Sequence, residues 1–439
     1  MEKLFVQVFI VKGDPFVKSE YEPYEVSSEK ISVIETVGCL PISHIAKENL
    51  EKLIHKTVDT VEFLPFKVIT KGSDLSEIDV NAIECAMLIT AAGESQEVIQ
   101  KLTILDAVNK IVFAATITPN HTIIGGVGSL QRDKIFIALD VEDAVEYLNT
   151  LLIKKKLKDS KILMFGGVST SVVDSETDPK KVVDKFGVAI EQVPIVELKE
   201  RIAKVNLEES KKVGKRAIRL GAGAEKIEVV KMADFEKAAA MSIAMTKMIA
   251  ETGATAASVD CSTIFAEGVV APCIPIHDIE MTGIPAACEG DLNCLILKIV
   301  ADFIAKAPTF MGNLGPMDKN KNTFSLWHHT APINFFKDGK YSLNTYGYKG
   351  VHFVSDVAEV KQVTVLKLAK NLDKAIIIRG EIEGSSNYGH CIAMNIKIAD
   401  LREFVHKHLL GNHHVVMLGD YSEEMKRMLQ SLDVEVEVC

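Results

Sequence analysis

At 439 residues the chain is longer than one ordinary hydrophobic core supports, so two or three domains are expected. Hydrophobic residues at 47% and charged residues at 25% give the balance of a folded globular protein, which excludes disorder as its main state. The net charge of −10, with no compensating Lys/Arg stripe, excludes nucleic acid as a natural partner, because neutralising phosphates needs a basic face.

The short basic runs Lys154-Lys155-Lys156 and Lys211-Lys212 read as solvated helix ends. No stretch reaches membrane-spanning length without charge, so no membrane partner is expected. Cysteines stand at 39, 85, 261, 273, 288, 294, 391 and 439 with no C-x-x-C pair. That spacing suggests neither a zinc ribbon nor a disulfide framework, and a cytoplasmic location is the default.

In chain order, Leu4 to Val11 reads as a first buried strand and not as a leader. Cys85–Thr90 and Lys110–Ala115 are apolar runs typical of strands covered on both faces, and helices are expected near 92–103 and 141–153. A polar connector at 155–160 closes a first α/β domain, residues 1–158. The second, 159–306, opens with strand 161–165 and the turn Gly166-Gly167-Val168-Ser169-Thr170-Ser171. This turn has neither the Walker lysine nor the G-x-G-x-x-G order, so it reads as a plain tight turn. A long Ala- and Met-rich helix over 231–252 is stopped by Gly253; strand 256–261, strand 284–288 and helix 291–306 follow. Strands alternating with helices predict doubly wound, Rossmann-like parallel sheets in both domains.

After Pro308 the pattern changes. Segments 342–349, 361–369, 375–383 and 391–397 are strand-like with no helix between them, which predicts an antiparallel, barrel-like third domain over 307–439. Strand 415–418, a helix opened by Asp420 and Glu423 at capping-box spacing, and an alternating strand 434–438 complete the chain.

Polar chemistry gathers at three places. Cys288-Glu289-Gly290-Asp291 joins a buried strand to a helix, and ligands in open parallel sheets bind at the carboxyl ends of strands. Asp291 alone reads as a helix cap. Trp327-His328-His329-Thr330-Ala331-Pro332 ends an apolar strand, and Gly411-Asn412-His413-His414 precedes another. Neighbours in a strand point to opposite faces, so at most one histidine of each pair is expected to face a given site. Carboxylates with imidazole suit Mn²⁺ and similar divalent ions better than they suit a tight zinc site.

Together these segments, with Phe310-Met311-Gly312-Asn313, resemble the L-fucose isomerase and L-arabinose isomerase superfamily, near its fucose-isomerase-like branch. Detailed resemblance covers roughly 255–439. It implies a ketol isomerase that holds adjacent oxygens of a free pentose or 6-deoxyhexose on Mn²⁺ or another divalent cation. A proton then moves between C1 and C2 through a cis-enediol. Carried over by motif, Glu289 and His413 would be metal ligands. Glu289, Asp260 and Asp291 are the catalytic candidates, and Trp327, His328, His329 and His414 the substrate-binding ones. The superfamily places a further acidic ligand about two dozen residues before Glu289, where this chain has Ser262-Thr263-Ile264-Phe265. Asp260 and Glu267 flank that gap, and Asp260 is the better substitute as metal ligand. The altered stretch keeps two alternatives open: other enediolate chemistry, such as an epimerase or lyase, or a non-catalytic sugar-binding protein. The resemblance also implies a homotrimer or homohexamer, with Thr118-Pro119-Asn120-His121-Thr122 a polar tip that could reach a neighbour; an ordinary surface turn is the plainer reading.

Overall fold

A computed structural model describes residues 3–12, 44–69, 79, 82–91, 109–113, 135–168, 172–206, 208–209, 232–344, 350–358, 362–386 and 391–439. The chain is mixed α/β, with parallel sheets and a closed six-stranded antiparallel barrel. It divides into two compact units, Met1–Lys155 and Lys156–Cys439.

In the first unit, strands β1 (Leu4–Lys12), β2 (Val61–Ile69), β3 (Cys85–Ala91), β4 (Asn109–Phe113) and β5 (Ile135–Ala138) form a parallel sheet in the order β2-β1-β3-β4-β5. Cys85 through Ile89 are buried without a break, as expected of a central parallel strand. Helix α1 (His44–Thr57) lays Leu50, Leu53 and Ile54 on this core, and helix α2 (Val141–Lys158) adds Val141, Ala144, Leu148 and Leu152 at helical spacing. Helix α2 runs through Lys158, so the connector expected from residue 155 is helical as far as that residue. Lysine and leucine are good helix formers, and no Gly or Pro interrupts them there. The expected helix at 92–103 and the tip at 118–122 lie outside the described residues.

In the second unit a four-stranded parallel sheet has the order β7-β6-β8-β9, from β6 (Lys161–Phe165), β7 (Ala189–Val193), β8 (Ala256–Val259) and β9 (Ala286–Ala287). Helices α3 (Pro179–Phe186), α4 (Ile195–Ala203) and α5 (Met232–Thr252) accompany it. Helix α5 ends at Gly253, whose φ of 67° only glycine adopts readily. Strand β8 is shorter than expected: Asp260 leaves it to cap α6 (Cys261–Ala266), and α7 (Cys273–Met281) follows. Helix α8 (Leu292–Ala305) is buried at every residue from Leu292 to Ala301, because it is packed against β8 and β9 and also against the barrel strands Gln362–Leu368 and His413–Leu418.

The barrel closes in the order β14-β17-β10-β11-β16-β15, with β15 pairing back to β14. Its strands are β10 (Phe310–Asp318), β11 (Thr323–His328), β14 (Gln362–Leu368), β15 (Lys374–Ser385), β16 (Ile392–Lys397) and β17 (His413–Leu418). β12 (Ser342–Asn344) pairs with β13 (His352–Val354) outside the barrel. β18 (Glu435–Val438) adds to β15 in parallel, after helix α9 (Ser422–Ser431). The Asp420/Glu423 capping box does not form. Asp420 accepts from the Ser422 N–H and hydroxyl, while Glu423 pairs with Arg379. Among the described residues no helix is long and apolar enough to cross a membrane.

Candidate functional site

The site starts where β9 hands over to α8. Glu289 has φ 57° and Gly290 φ 62°, so two successive residues take the left-handed conformation. For glutamate this costs about 1 kcal/mol or more, and such strain concentrates at functional positions. The bend is pinned by Gly290 N donating to Val259 O at 3.0 Å and by Glu289 N donating to Cys261 Sγ at 3.1 Å. Asp291 then caps α8, its Oδ1 accepting from Cys294 N at 2.8 Å.

Asp291's other oxygen meets the barrel. Oδ2 lies 2.9 Å from His413 Nδ1 at the start of β17 and accepts from Ser175 Oγ at 2.6 Å. Ser175 Oγ is itself 3.0 Å from His413 Nδ1. The far side of the ring, Nε2, is 3.1 Å from Glu289 Oε2. Asp291 and His413 are fully buried, whereas the Glu289 side chain is 23% exposed and is the member of the cluster that a ligand can reach.

Behind this cluster Asp174 accepts from Asn412 N at 3.0 Å and pairs with Lys367, whose side chain is fully buried. Gly411 is glycine for steric reasons as well as for its φ of 149°, since a Cβ there would run into Asp174. The turn Val173–Ser175 after β6 thus reaches the barrel at β14 and at the start of β17.

Charge follows geometry. Burial opposes ionisation of Asp291, but the His413 bond and the Lys367 charge outweigh it and hold this carboxyl well below the usual range. Burial likewise opposes ionisation of Glu289, and His413 reverses it, keeping the carboxyl below its ordinary value. For His413 burial favours the neutral ring, yet its two carboxylate neighbours raise it to about 9. Burial pushes His328 and His414 down to about 3, so both stay neutral.

The sequence candidates separate. Glu289, Asp291 and His413 come together. His413 and His414 lie within β17 and not before it; both are buried, and they face opposite ways. His414 packs near Phe324 and Phe404, with ring centroids at 6.4 and 6.2 Å, so it is a core residue of the barrel. His328 is buried with its ring 6.5 Å from that of His413. Trp327 and His329 meet each other edge-on at 5.7 Å, and His329 lies tilted against His352 at 4.9 Å. Asp260 spends both oxygens on its own helix, with Oδ1 taking Thr263 N at 3.1 Å and Oδ2 taking Thr263 Oγ1 at 2.6 Å. Glu267 pairs with Lys199 at the surface. Ser175, Asp174 and Lys367 join the cluster without having been singled out from the sequence.

Two donors suit a divalent ion. Ligands on adjacent positions of an octahedral ion at about 2.1 Å lie roughly 3 Å apart, and Glu289 Oε2 and His413 Nε2 are separated by 3.1 Å. Nε2 is buried and lacks an aligned hydrogen-bond partner, while Asp291 orients the ring from Nδ1, the arrangement common behind metal-bound histidines. With His413 neutral, the carboxylates Asp174, Glu289 and Asp291 against the one ammonium of Lys367 leave two negative charges, which a divalent cation would balance. Among the described residues no group of three or more His, Cys, Asp and Glu side chains is placed to hold a metal. An ion at this point would take only Glu289 and His413 from the described residues, and its other ligands would have to be water, substrate oxygens or a second chain. Compared with known proteins, the chain matches no protein-family model and no curated sequence.

Proposed function

We propose that the chain is a metal-dependent aldose–ketose isomerase acting on a free pentose or 6-deoxyhexose through a cis-enediol. In this reading it has two Rossmann-like, doubly wound domains and a barrel, and it works in the cytoplasm as a homotrimer or homohexamer. The observation that carries the reading is the meeting of two sequence motifs at one point, Glu289 Oε2 being 3.1 Å from His413 Nε2 with Asp291 behind the ring.

Glu289 and His413 would hold Mn²⁺ or a similar ion, which supplies Lewis-acid polarisation of a carbonyl oxygen when bound. The chain's own residues do the rest. Glu289 is ionised, reachable and fixed by its neighbours, so its Oε1 can take a proton from the carbon beside a carbonyl and return it one carbon away. Asp291 and Ser175 fix the ring plane and tautomer of His413. Neutral His328 offers a ring nitrogen to a sugar hydroxyl. Burial around His413 and Asp291 keeps water from the reacting carbons.

A second reading draws on Asp260. Both its oxygens are engaged with Thr263, and residues 262–265 bring no acid in its place. That favours other enediolate chemistry, by an epimerase or lyase, or a non-catalytic sugar-binding role. A Mn²⁺-dependent screen of pentoses and 6-deoxyhexoses separates the readings. Ketose is expected as product, with Glu289→Gln slower by on the order of a hundredfold or more while still folded. Equal turnover in Glu289→Gln removes Glu289 from the mechanism.

A further inference from the structure

A small cavity lies in the second unit, walled by Glu280 of α7, Cys288, Lys298 of α8, Met311 of β10, and His328 and Thr330 at the end of β11. It has room for about one water molecule. Lys298 and Glu280 pair across one wall at 2.6 Å, their side chains 2% and 4% exposed. The ammonium also donates to Thr309 O, so these contacts use two of its three donors. A buried ion pair packs no better than apolar residues of the same volume and pays more in desolvation. Packing alone therefore gives little reason for charges here.

His328 lines the same cavity. It is buried, and its Nδ1 has no hydrogen-bond partner. A hydroxyl oxygen meets both needs at once, because it donates one hydrogen bond and accepts others. It can accept from the third Lys298 N–H and satisfy the open nitrogen of His328. An anion there would face the Glu280 carboxylate and a cation the Lys298 ammonium, so the site selects a neutral group. We infer that this cavity binds one neutral, hydroxyl-sized group, held between His328 Nδ1 and the Lys298–Glu280 pair.

Two sources share that chemistry, an ordered water and the hydroxyl of a polyol. Cys288, in the cavity wall, is the residue before Glu289, so a polyol bound at Glu289 could place one hydroxyl in the cavity. The cavity needs neither metal nor turnover to hold such a group; only the polyol source rests on the isomerase reading. Its test is a high-resolution crystal structure of the full chain grown without polyols, and a second grown with a pentitol. The expected result is one oxygen within hydrogen-bond distance of both His328 Nδ1 and Lys298 Nζ. Replacement by a pentitol hydroxyl identifies a substrate subsite, and an unchanged oxygen identifies a water site. The paired variant Glu280→Leu/Lys298→Met removes both charges together, so neither is left buried alone, and it should fold and lose that oxygen. A dry cavity in both crystals, or an oxygen retained in the paired variant, overturns the inference.

Discussion

Asp260 and Asp291 stand in equivalent places and have different fates. Each follows a short buried strand of the same parallel sheet, each is buried, and each caps the next helix with one oxygen. The difference is the second oxygen. In Asp260 it accepts the hydroxyl of Thr263, three residues on, and is used up locally. In Asp291 residue i+3 is Cys294, which offers no such hydroxyl at that oxygen, so Oδ2 turns outward to Ser175 and His413. Capping a helix thus does not remove a carboxylate from chemistry; what occupies its other oxygen does.

The largest expected break in this comparison is Asp291→Ala. It removes a cap and leaves His413 and Lys367 without their shared carboxylate. Breaking a buried charge cluster from one side costs about 3–5 kcal/mol, which denaturant unfolding would read. A loss below about 1 kcal/mol would mean that the cluster adds nothing beyond the cap.

Next comes pH, in chelator-treated protein. The ring of His413 is raised from 6.5 to about 9, so between those values the folded chain keeps a proton that the unfolded chain has lost. Stability is full below about pH 6.5 and falls by about 3 kcal/mol as pH climbs through 9. His328 and His414 are lowered from 6.5 to about 3, so their contribution is present above 6.5 and is lost as pH drops below it. The unfolding midpoint should therefore fall on both sides of about pH 6.5, and His413→Gln should flatten the alkaline side. An alkaline limb unchanged in His413→Gln would assign the slope to another group.

The smallest effect is at Asp260. Asp260→Ala loses a cap and its threonine bonds, costing about 1 kcal/mol. A loss as large as that of Asp291→Ala would show that Asp260 has partners beyond its own helix.

Much of the fold was legible in the sequence because its strands are short apolar runs set between helices or turns. Asp291, Glu289 and His413 were legible because they sit at strand ends in a dense polar context. What escaped has physical reasons. β10, Phe310-Met311-Gly312-Asn313-Leu314-Gly315-Pro316-Met317-Asp318, carries two glycines and a proline and reads locally as a loop, yet barrel closure gives it partners on both sides. Lys367 sits in a strand where a lysine suggests a solvent-facing position. It is buried because Asp174 reaches it from a turn almost two hundred residues earlier, and no local pattern encodes that meeting. The strand before Asp260 ends two residues earlier than expected because the Thr263 N–H and hydroxyl reward leaving it.

Whether Glu289 and His413 hold an ion is read by calorimetric titration of the chelator-treated chain with Mn²⁺, beside Glu289→Gln and His413→Gln. One ion per chain is expected in the parent protein, with at least tenfold weaker binding in each variant, a loss of about 1.4 kcal/mol or more. Equal binding in all three proteins, or none in the parent, would contradict an ion held by these two residues.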